Sequence, residues 1–219
     1  MAITFDNSGA WSTTSAGNFT NAFTITGTNP LLHVSTRIRS TESSVTGVTY
    51  NGVAMTQIAQ ITNIFSNVDL TMWILMAPAT GANNIVVSQT GTPSSALQVY
   101  AGSYTGAAQT GQPDSTNSGK VSGVTTQTLS TTVVASNCWL VGQATNDFAT
   151  MTVDGTPPTV IRNQGNDGAP TIDSGVIVST GSQSMEVNTS GSASIGMVMA
   201  SITPAAAAAA ANHWLLMGV

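Results

Sequence analysis

Few side chains in this sequence are equipped for chemistry, and their spacing decides what they are able to do. The 219 residues include two histidines, His33 and His213, and one cysteine, Cys138. A hydrolytic triad needs Ser, His and Asp brought together. Serine is abundant, but no Gly-x-Ser-x-Gly elbow is present to expose one. His33 lies in LLHVSTRI among apolar neighbours and reads as a packed or hydrogen-bonded strand residue. His213 lies in the C-terminal segment. Neither falls at a metal-ligand spacing with Cys138. Cys138 sits in NCWLVG, an apolar strand-like run, with no neighbouring cation to favour a thiolate. Neither a metal nor a cofactor is expected.

Paired carboxylates are the other catalytic option, because glycoside hydrolysis needs two of them across a cleft. The nine acids are Asp6, Glu42, Asp69, Asp114, Asp147, Asp154, Asp167, Asp173 and Glu186. Asp154 and Asp167 precede glycines and read as turn residues. Asp69, Asp173 and Glu186 flank or sit within predicted strands, and they would have to converge for such chemistry. The stretch NDG at 166–168 reads as a turn rather than a Ca²⁺ loop. The four cations, Arg37, Arg39, Lys120 and Arg162, are scattered through a chain of net charge -5. A nucleic-acid partner requires several neutralised phosphates, so that class is excluded. Aromatic side chains offer sugar stacking instead. Trp73 and Trp139 stand among apolar neighbours and are expected in the core. Tyr50, beside Asn51-Gly52, and Tyr104, near a strand end, are the expected surface candidates for a ligand.

The elements that would position these residues are strands. Ser and Thr together number 59, yet 41% of the chain is hydrophobic and β-branched residues are frequent, enough for a β core. Strand signals recur every 8–12 residues, the spacing of a sandwich or barrel. The clearest is VTGVTYNGVAMTQI, 45–58, where Asn51-Gly52 is a preferred two-residue hairpin turn. Other predicted strands are 22–28, 31–38, 70–77, 84–90, 97–105, 129–134, 138–145, 149–154, 159–163, 173–180, 184–190 and 195–202. The polar span 107–121 is expected as an exposed loop or linker. Three blocks align without gaps: 49–58 on 152–161, 80–91 on 180–191, and 24–34 on 131–141. They suggest a diverged duplication, with halves at about 22–106 and 122–203. The expected fold is an all-β antiparallel sandwich of jelly-roll or Greek-key type over 1–203. One sandwich built from both halves is preferred to two small ones.

Residues 204–219 stand apart. Pro204 and seven alanines lead to Asn212, His213 and WLLMGV. The alanines would make about two helical turns, or reach about 23 Å if extended. Trp214, Leu215, Leu216 and Met217 are the expected partner-binding anchor, since large aromatic and aliphatic groups form interface hot spots. No run of about 18 apolar residues marks a membrane span, and the N-terminal residues lack the pattern of a secretory signal.

The blocks VTGVTYNGVAMTQI, LTMWILMAPATGANNIVVSQTG and AGSYTGAAQTGQPD resemble a β-sandwich family of phage genomes and environmental bacterial sequences, often found in surface or virion proteins. The resemblance covers about 22–203 and carries no catalytic residues. It implies a non-enzymatic virion structural protein: a decoration, fibre or other accessory subunit made in the host cytoplasm. Its expected partners are itself, as a homo-oligomer, and other virion proteins. The alternative is a carbohydrate-binding adhesin or receptor-binding module contacting a host-surface glycan.

Overall fold

The structure, a computed structural model, describes residues 2–147, 150–165 and 168–206, and within them there are strands and no helix. In chain order the first half supplies β1 (Thr4–Thr13), β2 (Phe19–Ile25), β3 (Leu31–Arg39), β4 (Val45–Tyr50), β5 (Val53–Ala54), β6 (Thr56–Ile61), β7 (Val68–Met76), β8 (Gly81–Gln89) and β9 (Leu97–Thr105). The second half supplies β10 (Ser115–Val133), β11 (Trp139–Asn146), β12 (Met151–Thr152), β13 (Val160–Gln164), β14 (Pro170–Asp173) and β15 (Gly181–Ile202). All ladders are antiparallel, and the three sheets do not close into a barrel. The architecture is an all-β sandwich.

The first half forms two sheets, ordered β1-β9-β3-β7-β6 and β2-β8-β4-β5. Between them lies a core that includes Phe23, Ile25, Tyr50 and Ile85 from the outer sheet and Leu32, Val34, Trp73 and Val99 from the inner one. The second half forms one sheet, β10-β15-β11-β14-β13, with β12 on β15. This sheet folds over itself, because β10 and β15 are long and shift register near Val121 and Val124. Met185 and Val187 of the early part of β15 thereby share a core with Leu140, Met197 and Met199. A third core joins the halves, with Leu31, Leu70, Met72 and Tyr104 packed against Trp139, Val141, Val198 and Ile202. The inner sheet of the first half is consequently covered on both faces, and β3 and β9 are buried along almost their whole length.

Pairing runs in the same order in both halves. The first part of β10, the second part of β15, β11, β14 and β13 stand where β1, β9, β3, β7 and β6 stand. The second part of β10, the first part of β15 and β12 stand where β2, β8 and β4 stand. Some contacts between halves are reciprocal: β1 meets β13 as β6 meets β10, and β9 meets β14 as β7 meets β15, whereas β6 with β15 and β7 with β11 lack a matching contact of that size. Leu31 pairs with Tyr104, and Trp139 with Ile202. This register sets Leu31 over Trp139, one residue from the alignment of 24–34 on 131–141. Among the described residues no ladder joins the halves. Only an isolated bridge, Ala107 with Pro204, does so.

Most predicted strands are present, and the hairpin forms as expected, with Asn51 at φ 50° and Gly52 at φ 75°. Four local expectations are corrected. Residues 115–121 are not linker but the start of β10, because their backbone pairs with 195–201 of β15. Residues 173–180 are not a strand: β14 ends at Asp173 and the chain turns at Gly175, φ 65°. The two strands predicted at 184–190 and 195–202 are one, β15. Finally β1, unpredicted, pairs along β9 although its sequence lacks apolar alternation.

Candidate functional site

Three of the four cations, Arg37, Lys120 and Arg162, and one carboxylate, Asp173, meet at the seam between the halves. Arg162 is the bulged residue of β13, where the register to β14 shifts between Ile161 and Asn163. A bulge re-aims its side chain, and Arg162 grips Asp173 with two parallel bonds, Nε to Oδ2 at 2.6 Å and Nη2 to Oδ1 at 2.9 Å. Asp173 is fully buried. Its carboxylate also accepts from the Tyr104 hydroxyl at 3.0 Å and from the Gly175 amide at 2.7 Å. With four donors it meets the condition that lets a buried charge persist. The guanidinium lies over the Phe5 ring at 4.6 Å and faces Trp139 at 5.8 Å. Tyr104 packs edge-on to both Phe5 and Trp139 and stacks on His33.

Two other cations cross the same seam. Arg37 Nε donates to Thr145 Oγ1 at 2.8 Å, while its Nη1 donates to Gln98 Oε1 at 2.6 Å. Lys120 Nζ donates to the carbonyls of Thr62 and Asn63. Arg39 stays within the first half, donating to the Ser66 carbonyl. The sequence counted these cations as scattered. Only the strand pairing brings them to one interface, and no local motif marks them.

Burial raises the Tyr104 hydroxyl well above its ordinary range, and the Asp173 charge adds to it, so Tyr104 serves as a donor. Burial pushes His33 down to about 4. Neither of its ring nitrogens has a hydrogen-bond partner, and the imidazole sits over Gly102, where an added Cβ would fall 2.4 Å from Nε2. Cys138 is buried, as expected, and burial raises its thiol. The three acids considered for glycoside chemistry have separate partners. Asp69 accepts from the Asn63 amide, Asp173 is held in the seam, and Glu186 accepts from Thr128 on the outer face. Asp154 caps its own turn through the Thr156 amide. Among the described residues no group of three or more His, Cys, Asp or Glu is placed to hold a metal ion, and no helix is long and apolar enough to cross a membrane.

The expected aromatic surface is corrected. Tyr50 and Tyr104 are both fully buried. On β4 the alternation of the sheet points Val48 and Tyr50 into the first core. The Tyr50 hydroxyl then donates to the Phe23 carbonyl at 3.0 Å. Tyr104 ends a strand, but its sheet is covered on both faces. Trp73 and Trp139 are buried, as expected. Trp214, Leu215, Leu216 and Met217 lie outside the described residues, as do Asn166 and Asp167.

Among the recesses on the described surface, one lies at the seam and one at the chain exit. A slot of about 110 Å³ lies at the seam between Ser12, Gln98, Tyr100 and Gln164. A larger groove, about 520 Å³, is formed where the described chain leaves the second half. It is lined by Ala2, by Ala135 to Asn137 in the β10–β11 turn, by Ile177, and by Thr203 to Ala206. Nothing in it carries a charge. Val134, Val176 and Ile177, on the segments that wall it, are 72%, 50% and 51% exposed. Ile177 and the alanines give it an apolar wall, and Ser136, Asn137 and Thr203 are its polar members. Comparison with family models, curated proteins and solved structures finds no match.

Proposed function

We propose that this protein is a non-enzymatic structural subunit of a phage virion, a decoration, fibre or other accessory component, that acts by assembling with copies of itself and with other virion proteins. The observation that carries the reading is the uncharged groove at the chain exit, with exposed Ile177 on its wall and exposed Val134 and Val176 each next in the chain to a wall residue. Exposed apolar surface of this kind marks a protein interface. The resemblance of the central blocks to phage and environmental sandwich proteins supplies the virion setting. The carbohydrate-binding alternative rested on Tyr50 and Tyr104 as a surface platform, and with both buried it has no such carrier. The matching strand order of the halves supports a further part of the reading, that the chain arose by internal duplication.

The test is fractionation. An antibody raised against the recombinant protein is used to probe density-gradient fractions of lysate from the phage-producing host. Co-migration with intact particles and labelling of their surface by immunogold are the expected results. Recovery only with free soluble protein would overturn the virion assignment.

A further inference from the structure

We infer that the groove at the chain exit receives residues 214–217 of a second copy, so that subunits are joined by exchanged C-terminal segments. The inference rests on the assembly reading above and names its contact. The exposure is localised. Among the described residues four large hydrophobic side chains are exposed, and Val134, Val176 and Ile177 are three of them, the fourth being Val53. A recess of about 520 Å³ is within the usual size of sites that bury compact apolar groups. A tryptophan flanked by two leucines and a methionine is the kind of cluster that fills a desolvated pocket at an interface. In this chain Trp214 to Met217 is that cluster, and it begins eight residues beyond Ala206 of the groove wall.

The length of chain between wall and anchor lets the anchor reach a second copy. Ala206 is part of the wall, and Trp214 comes eight residues later. Between them, up to Asn212, there is only alanine, with no Gly, Pro, Asn or Asp to favour a reversal. The spacer spans about 12 Å if helical and about 26 Å if extended, a reach that carries the anchor to a neighbour.

Two full-length variants test this by mass photometry. Ile177→Lys places a charge in the groove at a half-exposed position, and Trp214→Ala removes the anchor. Circular dichroism of both should match wild type. The expected result is an oligomeric wild type, monomers for each variant alone, and a regained two-subunit species when they are mixed. Mixing pairs the intact tail of the first variant with the intact groove of the second. Monomers that stay apart on mixing would overturn the exchange. Oligomers that survive both substitutions would overturn the groove contact and leave assembly through the sandwich surfaces standing. A wild type that is monomeric throughout would remove the self-assembly reading together with this contact.

Discussion

At the scale of single residues the seam is held by a buried charge with little redundancy. Removing Arg162 leaves Asp173 without its counter-ion, and stranding one partner of a buried pair costs about 3–5 kcal/mol. Arg162→Ala is therefore expected to lower the urea midpoint strongly, and a loss below about 1 kcal/mol would show that Tyr104 and Gly175 suffice to hold the carboxylate. His33 makes a separate prediction with a defined sign. Its folded value is about 4 against an ordinary 6.5, so between these values the unfolded chain binds the extra proton. Stability from this residue is complete above about pH 6.5 and falls as the pH drops toward 4, by about 3 kcal/mol in all. Val141 stands at the corresponding position of β11, which makes His33→Val the informative variant. Urea unfolding at pH 7 and pH 4.5 should show a smaller acid loss in the variant than in wild type, and equal losses would mean that His33 is already solvated when folded.

At the scale of elements, two glycines separate turn geometry from packing. Gly52 has positive φ and open space around a built Cβ, whereas at Gly142 an added Cβ would lie 2.6 Å from the Val198 carbonyl oxygen and 3.0 Å from Met185 Cε. Gly52→Ala is expected to cost about 1 kcal/mol through backbone strain alone. Gly142→Ala, which drives β11 into β15, is expected to cost more, about 1–3 kcal/mol; thermal melts giving the reverse order would contradict this account. These elements also show what was legible in the sequence. β3, β7 and β9 were readable because apolar and β-branched residues fill them, and the β4–β5 turn was readable from Asn51-Gly52. β1 and residues 115–121 were not, since TFDNSGAW and STNSGKV gain their order from partners about 100 and 80 residues away. The same distance hid the site. Nothing near Arg162 announces Asp173, Tyr104 and Phe5 together, and the burial of Tyr104 depends on a second sheet covering the first.

At the scale of the whole molecule, the third core decides how the protein unfolds. Its buried residues come from both halves, among them Leu31, Leu70 and Tyr104 on one side and Trp139, Val141 and Val198 on the other. Separating the halves would expose this apolar surface and break the bridges made by Arg37, Lys120 and Arg162. One cooperative transition is therefore expected, with calorimetric and van't Hoff enthalpies in agreement. Two resolved transitions would mean that each half stands alone and that the seam contributes little.

The location of Ala2 has a practical consequence. Ala2 belongs to the wall of the groove, so a fluorescent protein or purification tag joined ahead of it sits as a stopper over that opening. A fusion at the front of the chain should then interfere with assembly. A guest peptide spliced at Gly52, a turn outside the groove with open space around it, would leave that opening clear and be presented from the body of the sandwich.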